Sequence, residues 1–159
     1  MTIHELREEP HPELAEALGR FEEQFRYPLG EGRFFRISHG EDYPRFFRAM
    51  GDGICFVAKR DGSVLGVMGA ALRPLALPGG DTRTVVYLGD VKVDPAARSG
   101  MTLLRLARAA MAWVADRTDA AYAVVMDGTD ATPTRYTGRL GLPAFDQLGK
   151  IMVLRLATL

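Results

Sequence analysis

The sequence predicts an α/β fold in which helices flank a mixed β-sheet. Three observations carry that expectation. Gly100–Arg117 is a long amphipathic stretch between two apolar runs, Thr84–Val93 and Ala121–Met126, so a crossover helix should join two locally parallel strands. Ile54–Lys59 and Val64–Leu72 flank Asp61-Gly62, a tight-turn dipeptide, and so should form an antiparallel hairpin. Two helical stretches precede both.

In chain order, Pro12–Phe25 opens the fold as a helix, with Leu14, Leu18, Phe21 and Phe25 at helical spacing and Glu13 and Glu16 in its first turns. Tyr27–His39 reads as a loop beside Arg26, carrying Arg33 and Arg36. Asp42–Met50 is a second helix that buries Tyr43, Phe46, Phe47 and Met50 and ends at Gly51. After the hairpin, Pro74–Gly80 is a loop with two prolines and two glycines. Pro95 stops the Thr84–Val93 strand. The long helix packs Leu103, Leu106, Ala107, Ala110 and Val114 on the sheet. Ala121–Met126, continuously apolar, predicts a strand covered on both faces. Thr132–Leu140 predicts a short helix and Lys150–Ala157 a closing strand.

Bulk properties narrow the function classes. A chain of 159 residues predicts one domain, 1–159, with an ordinary 47% apolar and 25% charged content. Lys plus Arg equals Asp plus Glu at 20 each, which argues against nucleic acid as a partner. No apolar run is long enough for a membrane span, and Met1–Pro10 is charged. One cysteine, Cys55, precludes a disulfide within the chain and suits a reducing cytoplasm. Cys55 lies in an apolar strand and reads as a buried small hydrophobe. His4, His11 and His39 are scattered, so no metal site is expected. No Gly-x-Ser-x-Gly elbow supports a hydrolase triad, and no Gly-x-x-x-x-Gly-Lys-Ser/Thr loop supports a nucleotide-triphosphate site.

The chemistry concentrates where the Thr84–Val93 strand gives way to the long helix. The connection runs Asp94-Pro95-Ala96-Ala97-Arg98-Ser99-Gly100-Met101-Thr102. The first amides of a helix lack partners, and the helix dipole makes that end positive. Ser99 and Gly100 leave the approach uncrowded and Arg98 adds a fixed charge, which suits a pyrophosphate. The same turn also suits an ordinary connection in which Ser99 or Thr102 caps the helix. Asp90 is a carboxylate where a buried strand reaches its open end. It is a candidate base or amine-positioning group, or a scaffold partner of Lys92 or Arg73. By strand alternation it shares a face with Val86 and Leu88, while Tyr87 shares the parity of Val91; Tyr87 is a second candidate, acting through a water. Only a bulge would re-aim Asp90.

The order of elements, with Val91-Lys92-Val93-Asp94-Pro95 followed by Gly100-Met101-Thr102, resembles the GNAT (GCN5-related N-acetyltransferase) superfamily over nearly the whole chain. In that family the loop reads Arg/Gln-x-x-Gly-x-Gly/Ala. Here Ala97 takes the Arg/Gln place, Arg98 falls one position late and Thr102 closes the motif. The resemblance implies a sheet splayed between Thr84–Val93 and Ala121–Met126, with acetyl-CoA lying in the opening. The Val91 amide would polarise the thioester carbonyl, the Val93 backbone would pair with the pantetheine arm, and Arg98, Ser99, Gly100, Met101 and Thr102 would hold the pyrophosphate. The implied reaction is direct attack by a primary amine of a small molecule or peptide. Tyr136, one residue from the family's tyrosine place, would protonate the leaving sulfur or simply pack in the core. Three alternatives stay open. One is a regulatory module that binds acyl-CoA without turning it over. The second is an acyltransferase for longer acyl groups, for which Gly66, Met68, Gly69 and Met126 leave room. The third concerns Arg26, Arg33, Arg36, Arg45 and Arg48, which either favour an acidic acceptor or form a solvated face. The apolar end Ile151–Leu159 offers a strand for pairing across a homodimer.

Overall fold

The computed structural model describes residues 1–97, 101–126, 128–129 and 132–151. Strand alternation organises its interior. In β4 (Asp52–Arg60), Ile54, Phe56 and Ala58 face one side and Cys55 and Val57 the other. Every one of these five is fully buried, so both faces of the sheet are covered. In β5 (Ser63–Ala76), Met68, Ala70 and Leu72 join the first face and Val67 and Ala71 the second.

The sheet has five strands in the order β1-β4-β5-β6-β7, where β1 is Thr2–Leu6, β6 is Thr82–Val93 and β7 is Ala121–Ala123. Neighbours from β1 to β6 are antiparallel, and β7 runs parallel to β6. The long helix α3 (Thr102–Val114) lays Leu106 and Ala110 on the Ile54–Phe56 face. On the opposite face lie α1 (Pro12–Glu22), through Leu18 and Phe21, and α2 (Arg45–Met50), through Phe47. Glycines let these helices approach the sheet. A Cβ on Gly66 would stand 3.1 Å from Thr102 Cγ2 and 3.2 Å from Leu106 Cδ1, and one on Gly53 would overlap the backbone of Phe47.

Mixed sheet, hairpin, crossover helix and parallel β6–β7 pair match the fold class read from the sequence. Several local expectations are corrected. The charged N-terminus forms the edge strand β1, paired from Thr2↔Lys59 to Leu6↔Cys55; only Ile3 and Leu6 pack inward, so its apolar signal is thin. Tyr27–His39 is not a plain loop but holds a small hairpin, β2 (Tyr27–Gly30) with β3 (Arg33–Phe35). β5 continues into the expected Pro74–Gly80 loop, with Pro74 opposite Thr84. Phe46, expected inside, is 51% exposed, because its short helix turns only Phe47 fully inward. Ala121–Met126 pairs only over its first three residues, and Val124, Val125 and Met126 are partly exposed. The expected helix near residue 136 is the single turn α4 (Pro133–Tyr136). Of the expected closing strand, Lys150 and Ile151 are not in a strand, and residues 152–159 lie outside the described residues, as does the dimer strand read there. No described helix is long and apolar enough to cross a membrane.

Candidate active site

The site is built around an irregularity in β6. Gly69 pairs with Gly89 and Val67 pairs with Lys92, so Met68 alone faces both Asp90 and Val91. That is a β-bulge. Asp90 takes φ 51°, in the left-handed region that Asp tolerates better than most residues. The bulge changes which way the strand points. Val86 and Leu88 pack toward α3, and so does Val91, whereas Tyr87 packs toward α1 and α2. The side chains of Asp90 and Lys92 follow Tyr87. The alternation read from sequence, which put Asp90 with Val86 and Leu88 and Tyr87 with Val91, is therefore corrected by one inserted residue.

Re-aimed in this way, Asp90 joins a buried polar cluster. Tyr43 Oη donates to Asp90 Oδ2 at 2.5 Å, and Lys92 Nζ lies 2.5 Å from Asp90 Oδ1. Lys92 Nζ also donates to Glu22 Oε1 at 3.0 Å. His39 closes the circle. Its Nδ1 is 2.5 Å from Glu22 Oε1, its amide donates to Glu22 Oε2 at 3.0 Å, and its Nε2 is 3.9 Å from Asp90 Oδ2. The His39 ring stacks on Tyr43 with centroids 4.4 Å apart. The chain positions these groups from four places: the end of α1, the segment after β3, the approach to α2, and the β6 bulge.

The electrostatics follow from that geometry. Burial pushes the Glu22 carboxyl up, but hydrogen bonds from the His39 ring and amide and the Lys92 charge outweigh it and hold the group at about 2. Burial opposes the Lys92 charge, yet the Asp90 carboxylate, with Glu22, raises the ammonium above its ordinary value. Burial and then the Asp90 and Glu22 charges drive the Tyr43 phenol well above its usual range. Cys55 is pushed up by burial first, which agrees with its reading as a core hydrophobe. Single ligand atoms of Glu22, His39 and Asp90 lie within 4.8 Å of one another, a spacing that could hold a cation. Lys92 Nζ already bridges Glu22 and Asp90, so the cation between those two carboxylates is the protein's own.

Toward β7 the cluster continues as a row of aromatic rings. Phe47 and Tyr87 have centroids 6.3 Å apart, and Tyr87 and Tyr122 5.2 Å. Two glycines paired across β5 and β6 make room for them. A Cβ on Gly69 would sit 1.9 Å from the Phe47 ring, and one on Gly89 would sit 2.7 Å from Tyr87 Oη. Parallel pairing of β6 with β7 stops at Leu88↔Ala123, one residue before Gly89. From Gly89 to Val93, β6 pairs with β5 alone among the described residues. The strands thus part at the bulge, where the resemblance implied a splay.

The other sequence-derived candidates fall in different places. Val91 and Val93 lie on the unaccompanied stretch of β6. Asp94 shapes the turn beyond it: its carboxylate accepts from the Ala96 amide at 2.7 Å, and its carbonyl from the Ala97 amide at 2.8 Å. Met101 is exposed at the start of α3, while the Thr102 side chain is buried and turned to the core, where its hydroxyl meets Met1 Sδ. Among the described residues no side chain caps α3, so the capping reading fails for Thr102. Arg98, Ser99 and Gly100 lie outside the described residues. Tyr136 ends α4, its phenol raised by burial alone, with no hydrogen bond or ring contact to a described residue. Glu22, His39 and Tyr43 were not picked out as site residues from sequence. One signal was present: Glu22 stands one residue after Phe21 and four after Leu18, a carboxylate inside the buried stripe of α1.

No protein-family model and no curated protein matches this chain. Solved structures do. The aminoglycoside N-acetyltransferase AAC(6')-Iy in complex with CoA superposes with a TM-score of 0.64 at 17% identity, covering 99% of this chain and 100% of that one. An acetyltransferase from Trypanosoma brucei gives 0.60 at 15% identity over 96% and 100%. A GCN5-related N-acetyltransferase from Ralstonia eutropha gives 0.50 at 18% identity over 69% and 70%. Near-complete coverage at such low identity is a likeness of architecture, and it places the chain's mixed sheet and helices in the GNAT fold.

Proposed function

We propose that this protein is an N-acyltransferase that moves an acetyl group from acetyl-CoA to a primary amine. The observation that carries the reading is the parting of β6 from β7 at Leu88, directly before the Asp90–Val91 bulge. A strand with a vacant edge can pair with the amide-bearing pantetheine arm as a missing strand would. In this reading the Val93 backbone pairs with that arm. The Val91 amide donates to the thioester oxygen as it becomes an oxyanion. Met101 and Thr102 amides, with Arg98, Ser99 and Gly100 before them, take the pyrophosphate at the α3 terminus. The likeness to a solved N-acetyltransferase that holds CoA supports the same ligand class here.

The chemistry follows. The amine nitrogen attacks the carbonyl carbon, the carbon–sulfur bond breaks, and the thiolate takes up a proton as it leaves. In this reading Tyr136 supplies that proton and Asp90 positions the amine. Asp90 is also held by Tyr43 and Lys92, which favours a second reading as a binding module without turnover. One paired experiment separates them. Acetyl-CoA is titrated calorimetrically, and release of CoA thiol is then followed against a panel of primary amines. Binding with amine-dependent release supports the transferase. Binding without release supports the module. No binding at millimolar acetyl-CoA removes both.

A further inference from the structure

We infer that His39 is the proton acceptor for the attacking amine and that Glu22 is its positioning residue; this rests on the acetyltransferase reading above. His39 Nδ1 is held at 2.5 Å by a carboxylate that stays ionised, since Glu22 titrates only at about 2. A ring fixed in this way carries its proton on Nδ1 and presents the Nε2 lone pair. Nε2 has no partner within hydrogen-bonding distance among the described residues; Asp90 Oδ2 lies 3.9 Å away.

The groups packed around it are poorer bases. Both Glu22 oxygens are occupied, by His39 and by Lys92. Both Asp90 oxygens are occupied, by Tyr43 and by Lys92. On the remaining elements, burial raises the Tyr43, Tyr27 and Tyr87 phenols and the Cys55 thiol, so none of them ionises near neutrality. The His39 side chain is the least buried of the four, 9% exposed against 7% for Asp90, 4% for Glu22 and 2% for Lys92.

The step balances. A neutral amine forms the nitrogen–carbon bond, its surplus proton passes to Nε2, the thiolate departs with one proton, and His39 then releases its own to solvent. The neutral ring is the active form, so kcat/KM should rise with pH through the His39 titration.

The test uses the intact protein, acetyl-CoA and the best amine of the panel. The kcat/KM–pH profile of the wild type is compared with the His39 ring titration followed by NMR, His4 and His11 being assigned by substitution. Coincidence of the kinetic limb with the ring titration supports the inference; a limb elsewhere overturns it, even if no variant folds. His39→Gln should lower kcat/KM by about 100-fold or more and abolish the limb while acetyl-CoA affinity stays. A wild-type rate and profile in that variant would overturn the inference. Glu22→Gln should move the kinetic limb and the ring titration together; an unmoved limb would leave Glu22 with no positioning role. If the wild type binds no acetyl-CoA, the acetyltransferase reading itself falls and this inference with it.

Discussion

Lys92 holds the site together at the scale of single residues. Its ammonium lies between Glu22 and Asp90, and all three side chains are nearly excluded from solvent. Removing one member of such a group leaves like charges uncompensated, at a cost of about 3–5 kcal/mol. Lys92→Met should therefore lose about that much stability in urea denaturation. Glu22→Gln in the same chain removes one of the two facing carboxylates, returns the cluster to its original net charge and should recover part of the loss. The folded Glu22 carboxyl titrates at about 2, below its ordinary 4.5. Its contribution is therefore complete above about 4.5 and is lost as pH falls toward 2. Stability measured across that window should decline, and Glu22→Gln should flatten the decline.

At the scale of elements, the β6 bulge decides what the strand presents. Sequence alternation alone assigned Asp90 to the wrong face, because an inserted residue has no periodic signature; it shows only when β5 and β6 are paired. The left-handed backbone at Asp90 makes a testable demand. Asp90→Asn keeps a side chain that tolerates this conformation, and Asp90→Val introduces a β-branched one that does not. In thermal unfolding, Asp90→Val should be the less stable of the two. The glycine pair beneath the rings makes another. A Cβ at Gly69 would overlap Phe47. Gly69→Ala should destabilise the fold by about 1–3 kcal/mol and weaken the near-ultraviolet signal of the stacked aromatics.

Across the whole molecule, the layout was legible where patterns are long. The α3 stripe around Leu106 and Ala110, the hairpin at Asp61-Gly62 and the β6–α3–β7 crossover each rest on many residues. The short pieces were not. Thr2–Leu6 is an edge strand with little apolar content, and the Glu22–His39–Asp90 cluster is drawn from residues 68 positions apart at its extremes, a proximity only tertiary structure creates. The family resemblance anticipated the splay and the β6 edge, yet not the histidine beside Asp90. The β6 edge beyond Leu88 is proposed to receive an acyl-CoA. A ligand that binds only the folded state at 100 times its Kd adds about 2.7 kcal/mol of stability, so acetyl-CoA should raise the melting temperature. The most direct measurement is calorimetric titration of the protein with acetyl-CoA. A saturable heat with one site per chain is expected; replacing Val91 by proline, in a variant still folded by circular dichroism, should keep that heat and lower acetyl transfer instead, because the lost amide serves the oxyanion. No heat at millimolar acetyl-CoA would contradict the proposed site.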